Sequence, residues 1–319
     1  MASIKNTIIN DTGYLRLPVG TNAQRSYGTA VAGDMRYNSD SNYPEYYNGS
    51  SWVRIGAFNA TATVSPTVTG GNNVFTFTSP GSFTVTAGAA NVQLLVVAGG
   101  GSGGSGTGAG GGAGGLIYNS AFPMISGTYP VTVGAGGPFR PGGVTQGISG
   151  NPSVFGPQTA NGGGYGGNTG PSVMNAGAQG GSGGGSAGYP GSPQGYGPGA
   201  ATNQPGRGNA GGTTGGYGGG GGGGFGAAGQ PGNGGFGGGG GTYSISGAAQ
   251  SYAGGGSGST DTTRAAPGSG GGGASAPGGG PGNNATYYGG GGGGSWDYGN
   301  TGAGAGYQGI VIVSYPTNA

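Results

Sequence analysis

The sequence predicts a mainly β protein with essentially no α-helix, built from a small N-terminal β module, a β-sandwich and a Gly-rich bundle of polyglycine II helices. Three observations predict it. Gly is 96 of 319 residues and only 4% are charged, against about 7% and about 25% in average domains. Alternating aromatic and β-branched segments flank the Gly-rich tract. An apolar strand, Ile310-Val311-Ile312-Val313-Ser314-Tyr315, resumes after that tract.

The charges set the first boundary. Residues 1–56 hold Lys5, Arg16, Arg25, Arg36, Arg54, Asp11, Asp34, Asp40 and Glu45, whereas the rest of the chain holds Arg140, Arg207, Asp261, Arg264 and Asp297. Residues 1–56 therefore read as an attachment or oligomerisation module, 57–66 as a linker and 67–319 as the glycine-rich domain. In the module Tyr14-Leu15-Arg16-Leu17 alternates, and Asn48-Gly49 between Glu45-Tyr46-Tyr47 and Trp52-Val53-Arg54-Ile55 signals a hairpin. So short a unit is marginal alone and suits docking or self-association.

The sandwich is expected from strands within 73–98, 115–134 and 309–316. Val74-Phe75-Thr76-Phe77-Thr78 and Phe83-Thr84-Val85-Thr86 alternate, and Val92–Val97 is apolar on both faces. Its natural partner is the equally apolar Ile310–Tyr315. The tract 99–308 then becomes an excursion whose two ends are clamped in one sheet.

That excursion cannot build a side-chain core. Residues 157–308 contain 64 Gly but only Val173, Met174, Phe225, Phe236, Ile245 and Trp296 from the Val/Ile/Leu/Met/Phe/Trp set, together with ten Tyr. A polyproline-II-type rod has three residues per turn, a rise of ~3.1 Å and no internal hydrogen bonds. Each N–H and C=O points outward. Rods of Gly and Ala approach closely enough for backbone to bond backbone, which offsets the roughly 1–2 kcal/mol per residue lost in ordering the chain. Disorder is the competing reading of this composition. Collagen is excluded because Gly218–Gly224 breaks any triplet register.

Without Cys or His the chain has no thiolate, imidazole or Cys/His metal site, so no enzyme activity and no cofactor or metal are expected. A net charge of +2 gives no field for nucleic acid. The longest strongly apolar stretch, Val92–Ala98, is far shorter than the ~20 residues of a membrane helix. The start lacks the apolar stretch of a secretory signal. The expectation is a product made soluble, without membrane insertion. Repeated Gly-x-Gly-x-x-Gly matches follow from composition, since none opens an amphipathic helix.

Phe75-Thr76-Phe77-Thr78-Ser79-Pro80-Gly81-Ser82-Phe83-Thr84-Val85, Leu94–Gly101, Gly111–Leu116 and Tyr129–Gly137 together resemble the glycine-rich domain of tail-fibre and adhesin proteins of tailed bacteriophages. Leu15–Thr21, Gly33–Asn38 and Tyr46–Val53 are similar to a short module of cyanobacterial and marine phage structural proteins. The resemblance implies a virion fibre protein exposed on the particle surface. It would bind a host cell-surface receptor, a glycan or an outer-membrane protein, through loops between polyglycine II helices. Residues 1–56 would contact other virion proteins, with a homotrimer as one assembly. Decoration of the head or neck without receptor binding is the alternative.

Tyr189, Tyr196, Tyr243, Tyr252, Tyr287, Tyr288, Trp296 and Tyr298 are candidate stacking platforms, because Tyr and Trp give rigid contact area at low entropy cost. Arg207, Asp261, Arg264 and Asp297 are the charges available beside them. These residues fall in stretches read as loops at 186–210, 242–253, 259–267 and 283–300. Arg16, Arg36, Trp52 and Arg54 are candidates for virion docking, or for an internal salt-bridge set with Asp34 and Glu45.

Overall fold

The computed structural model describes residues 16–26, 30–169, 176–188, 208–214, 218–232, 234–260, 264–296 and 301–318. It divides into two compact units, 1–59 and 60–319. The fold is mainly β, and its one helical element among the described residues is a 3-10 turn at Asn22–Ser26.

The first unit is a four-stranded sheet in the order β1 (Val19–Gly20), β2 (Met35–Asn38), β3 (Tyr43–Tyr47) and β4 (Trp52–Arg54). β1 runs parallel to β2, and the other pairs are antiparallel. Tyr14 and Leu15 lie outside the described residues, and Arg16-Leu17 precedes β1 without joining the sheet. Asn48-Gly49 does turn the chain, within a four-residue loop between paired Tyr47 and Trp52. Asn48 Oδ1 accepts from the amides of Ser50 and Ser51 at 2.9 and 2.8 Å, and Gly49 takes φ +100°.

The second unit opens with β5 (Asn59–Ala62), β6 (Thr67–Thr69), β7 (Asn72–Phe77), β8 (Gly81–Ala87), β9 (Ala90–Val97), β10 (Leu116–Met124), β11 (Gly127–Thr132), β12 (Ser153–Phe155) and β13 (Gln158–Ala160). Later come the two-residue pair β14 (Ala187–Gly188) and β15 (Gly218–Gly219), the hairpin β16 (Gly241–Tyr243) and β17 (Gln250–Tyr252), and the closing β18 (Ile310–Pro316). One sheet has the order β10-β9-β18-β7-β6 and the other β13-β12-β11-β8-β5. The stretch expected as a linker therefore contributes β5, whose alternating small and polar residues suit a sheet edge.

β18 lies antiparallel between β9 and β7, with Ile310 opposite Val97 and Val313 opposite Phe75. Two-sided burial explains the apolar runs Leu94–Val97 in β9 and Ile310–Val313 in β18. On one face Phe75 meets Phe83 edge-on, ring centroids 5.2 Å apart, and Phe155 stacks on Tyr129 at 5.6 Å. On the other, Leu95, Val97, Leu116, Ile310 and Ile312 cluster with Ile245, Tyr252 and Ala113.

Ala113 belongs to a rod that shows how the Gly tract is ordered. Along 108–115 successive amides donate to three different segments in strict rotation. Gly108, Gly111 and Gly114 bond the carbonyls of Ser295, Gly292 and Gly289; Ala109, Gly112 and Gly115 bond those of Gly167, Gly164 and Asn161; Gly110 and Ala113 bond those of Gly220 and Gly223. Its carbonyls accept in the same rotation. Gly104, Gly101 and Ala98 bond Ala109, Gly112 and Gly115; Gly185 and Ser182 bond Gly110 and Ala113; Ser259 and Gly256 bond Gly108 and Gly111. All these bonds are 2.8–3.0 Å. A period of three with bonds to six flanks is polyglycine II geometry in hexagonal packing.

The packing dictates the composition. A Cβ on Gly111 would fall on the carbonyl oxygen of Gly101, and one on Gly112 on that of Ser182. At the rim only one residue in three faces inward, as with Gly282 and Ala285 in 281–286 or Ala265 and Gly268 in 264–269. Asn, Pro, Thr, Arg, Ala and Ser occupy the rest.

Candidate functional site

The hydrogen-bond register gives the bundle two ends. Gly115 runs directly into β10, so the level of Ala98, Gly115, Asn161 and Gly289 is the end next to the sandwich. The level of Gly104, Gly108, Gly167, Ser259 and Ser295 is the far end.

The structure separates the sequence-predicted aromatic residues between these ends. Tyr243, Tyr252, Tyr287 and Tyr288 gather beside the sheet. Tyr252 is a correction: it is 1% exposed and packs with Ile245 against the outer face of β9, β10 and β18. The stretch 242–253 that was read as a loop carries the β16–β17 hairpin, which serves as a lid on that face. Tyr287 and Tyr288 pack on the same cluster, and the rings of Tyr252, Tyr287, Tyr288 and Tyr307 follow one another at 5.6, 4.9 and 5.4 Å. Burial raises the phenol pKa of Tyr252, Tyr287 and Tyr288, and the neighbouring phenols add to it. Tyr243 is partly open, its ring 4.6 Å from that of Tyr118, and its pKa is raised by burial and then by Tyr118.

Arg264, exposed, and Trp296, half-buried, stand at the far end. Tyr189, Tyr196, Arg207, Asp261, Asp297 and Tyr298 lie outside the described residues. Their flanks are informative. Thr169, Gly188, Thr214, Thr260 and Trp296 are each the last described residue before such a segment, and register places all five at the far end.

Hydroxyl side chains tie that end together. Thr107, in the turn between rods 98–104 and 108–115, has φ +20° and is buried. Its Oγ1 lies 2.8 Å from Thr169 Oγ1 and 3.0 Å from the Gly188 carbonyl. Ser186 Oγ accepts from the Thr214 amide at 2.8 Å, and Ser295 Oγ donates to the Thr301 carbonyl at 3.3 Å. Sequence reasoning missed these residues. The available signal was Ser or Thr placed where a Gly run stops.

In the smaller unit the docking candidates divide differently. Glu45 is fully buried, hydrogen-bonded by Arg25 and by Asn38 Nδ2 at 3.1 Å, and ion-paired with Arg36, whose Nε lies 3.2 Å away without a hydrogen bond. Burial pulls its carboxyl upward, but the bonds from Arg25 and Asn38 and the charges of both arginines outweigh that and hold it below the usual value. Arg36 also donates to the Thr21 carbonyl at 2.9 Å and lies 5.5 Å from the Trp52 ring centre. Arg36 is thus buried in the internal salt-bridge set, the alternative to docking, and Trp52 beside it is half-buried. Arg54 sits 5.0 Å from the Tyr43 ring centre, and Arg16 is exposed. The exposed apolar residues here are others, notably the cross-strand pair Met35 and Tyr46, 47% and 38% exposed.

Among the described residues no group of three or more acidic side chains is placed to hold a metal, and no helix is long and apolar enough to cross a membrane. A family model described as a glycine-rich domain matches residues 76–316. No curated protein matches the chain.

Proposed function

Taking as premise that the chain belongs to the glycine-rich domain family, we propose that it is a phage virion fibre protein that binds a host cell-surface receptor through the segments joining its rods. The supporting observation is the division of labour in the bundle. The inner rods use their N–H and C=O groups on one another, as at 108–115, and carry little beyond Gly, Ala and Ser to vary. Recognition then falls to the far end, where five chain exits converge around Thr107 and Ser295. Trp296 and Arg264 are the described members of that surface. Tyr189, Tyr196, Arg207, Asp261, Asp297 and Tyr298 complete the candidates.

The smaller unit supplies attachment to other virion proteins or trimer contacts, with Met35, Tyr46 and Arg54 on its surface. Multiple copies on a particle turn modest single-site affinity into firm adhesion. The chemistry is binding without bond cleavage.

The test exchanges 170–175, 189–207, 215–217, 261–263 and 297–300 for unrelated loops while leaving the described rods intact. Melting reports the fold, and adsorption to host cells reports function. Folded variants that no longer adsorb support the reading. Folded variants that all adsorb normally replace it with structural decoration of the virion.

A further inference from the structure

Along rod 108–115 each flank has one sense. Three flanks only donate, to the rods of Ser295, Gly167 and Gly220, and three others only accept, from the rods of Gly104, Gly185 and Ser259. A bond between rods therefore joins a donor row of one, read in steps of three residues, to an acceptor flank of the other.

Several outer rods have a donor row that meets no described residue, and proline sits in it. In 134–141 the row of Gly134, Gly137 and Arg140 bonds Ser153 Oγ, Gly100 and Ala303, whereas Ala135, Pro138 and Pro141 form an exposed row without a described acceptor. In 145–152 the amides of Gly147, Ile148, Gly150 and Asn151 are bonded, which leaves the row of Gln146, Ser149 and Pro152. In 227–231 Ala227 and Gln230 bond Gly239 and Phe236, and Gly229 bonds Ala210, which leaves Ala228 and Pro231. In 281–286 the row left is Pro281 and Asn284. The buried runs 98–104, 108–115, 218–224 and 289–294 contain no proline.

Proline suits this place in two ways. Its φ of about −65° fits a rod φ of about −75°, so it adds no strain. It lacks the N–H, and its ring carbon stands where the donor hydrogen would be, so an incoming carbonyl finds neither a bond nor room. Edge strands of β-sheets are closed by the same residue.

Gly rods of separate copies are chemically alike, so an open donor row on one copy is a template for an acceptor flank of the next. We propose that Pro138, Pro141, Pro152, Pro231 and Pro281 close these rows, so that this part of the rim does not bond the rods of another copy. The inference goes beyond the adhesin reading and does not depend on it.

The test is sedimentation velocity of the full chain over a range of concentrations, with a cooperative melt reporting the fold of each variant. Replacing all of these prolines with alanine restores the missing amides. The combined variant should associate, its weight-average mass at the top of the range rising roughly twofold or more above wild type. Hydrogen exchange at 138, 141, 152, 231 and 281 should be slow in the associated species. Pro80→Ala with Pro157→Ala, at exposed prolines between strands of the sandwich, should match wild type. Where the combined variant does not fold, Pro231→Ala alone carries the test, and adding Ala228→Pro in the same row should reverse its association. A folded variant with wild-type mass at every concentration overturns the proposal. So does association in which the restored amides still exchange fast, or equal association in the sandwich control.

Discussion

Gly108 and Ser295 are bonded at 2.9 Å, and from that contact two antiparallel rods keep register through Gly111 with Gly292 to Gly114 with Gly289. Register is held by backbone bonds, so most inner positions are Gly and the rest, such as Ala109, Ala113 and Ser259, carry only a methyl or hydroxymethyl group.

Replacing Gly111, Gly221 or Gly292 with Val should destabilise the larger unit by more than about 3 kcal/mol, because the new Cβ meets the carbonyl of Gly101, Phe236 or Gly304. Ala266→Val, at an exposed position of a rim rod, should stay within about 0.5 kcal/mol. Denaturant melts of the four variants check the contrast.

Amide exchange should be slowest in 108–115, together with β9 and β18, because every N–H of that rod is bonded to another rod and no flank meets solvent. Rim segments such as 281–286 should exchange faster. Rapid exchange throughout 108–115 would contradict the hexagonal packing.

Tyr252→Ala should cost about 3–5 kcal/mol, the range for a buried aromatic, and should loosen the hairpin from the sheet. Tyr252→Phe should cost far less. Tyr252 has its phenol raised by burial, so its un-ionised form is favoured in the fold. Its contribution is present below the unfolded value of about 10 and is lost as pH rises toward the folded value. Alkaline melts of wild type and Tyr252→Phe should therefore diverge above that pH, with wild type losing more.

Glu45 has the opposite sign. Its folded carboxyl lies below its ordinary value, so its contribution is complete above about pH 4.3, the unfolded glutamate value. It disappears as pH falls through the lower folded one. The smaller unit of wild type should melt progressively lower on acidification, and Glu45→Gln should flatten that dependence while weakening the unit at neutral pH. Identical acid profiles would remove Glu45 from the account.

The outline of the larger unit was legible because Leu94–Val97 and Ile310–Val313 are apolar at every position, which in a Gly-rich chain leaves few other partners. The β12–β13 and β16–β17 hairpins were not. Their strands are three residues long and include Ser, Gln, Thr and Gly, too short for a period-two pattern. The aromatic residues were located but not oriented. Tyr252 and Trp296 look alike in sequence, and only their level along the rods decides that one lies beside the sheet and the other at the far end. The buried Glu45 set was legible as charge pairs, whereas its depth comes from sheet pleat, which turns Arg36 and Asn38 inward and Met35 out.

The rim rods, with one inward residue in three, carry an evolutionary consequence. A lattice of this kind enlarges by lateral accretion, much as a crystal face takes a new row. An out-and-back pair added at the rim finds bonding partners on the existing face without displacing any inner rod. Each such pair also brings one more connection to the tip. Length variation among homologous chains should therefore come in whole pairs at the rim, adding connections at the far end while the centre around Gly111 stays as it is.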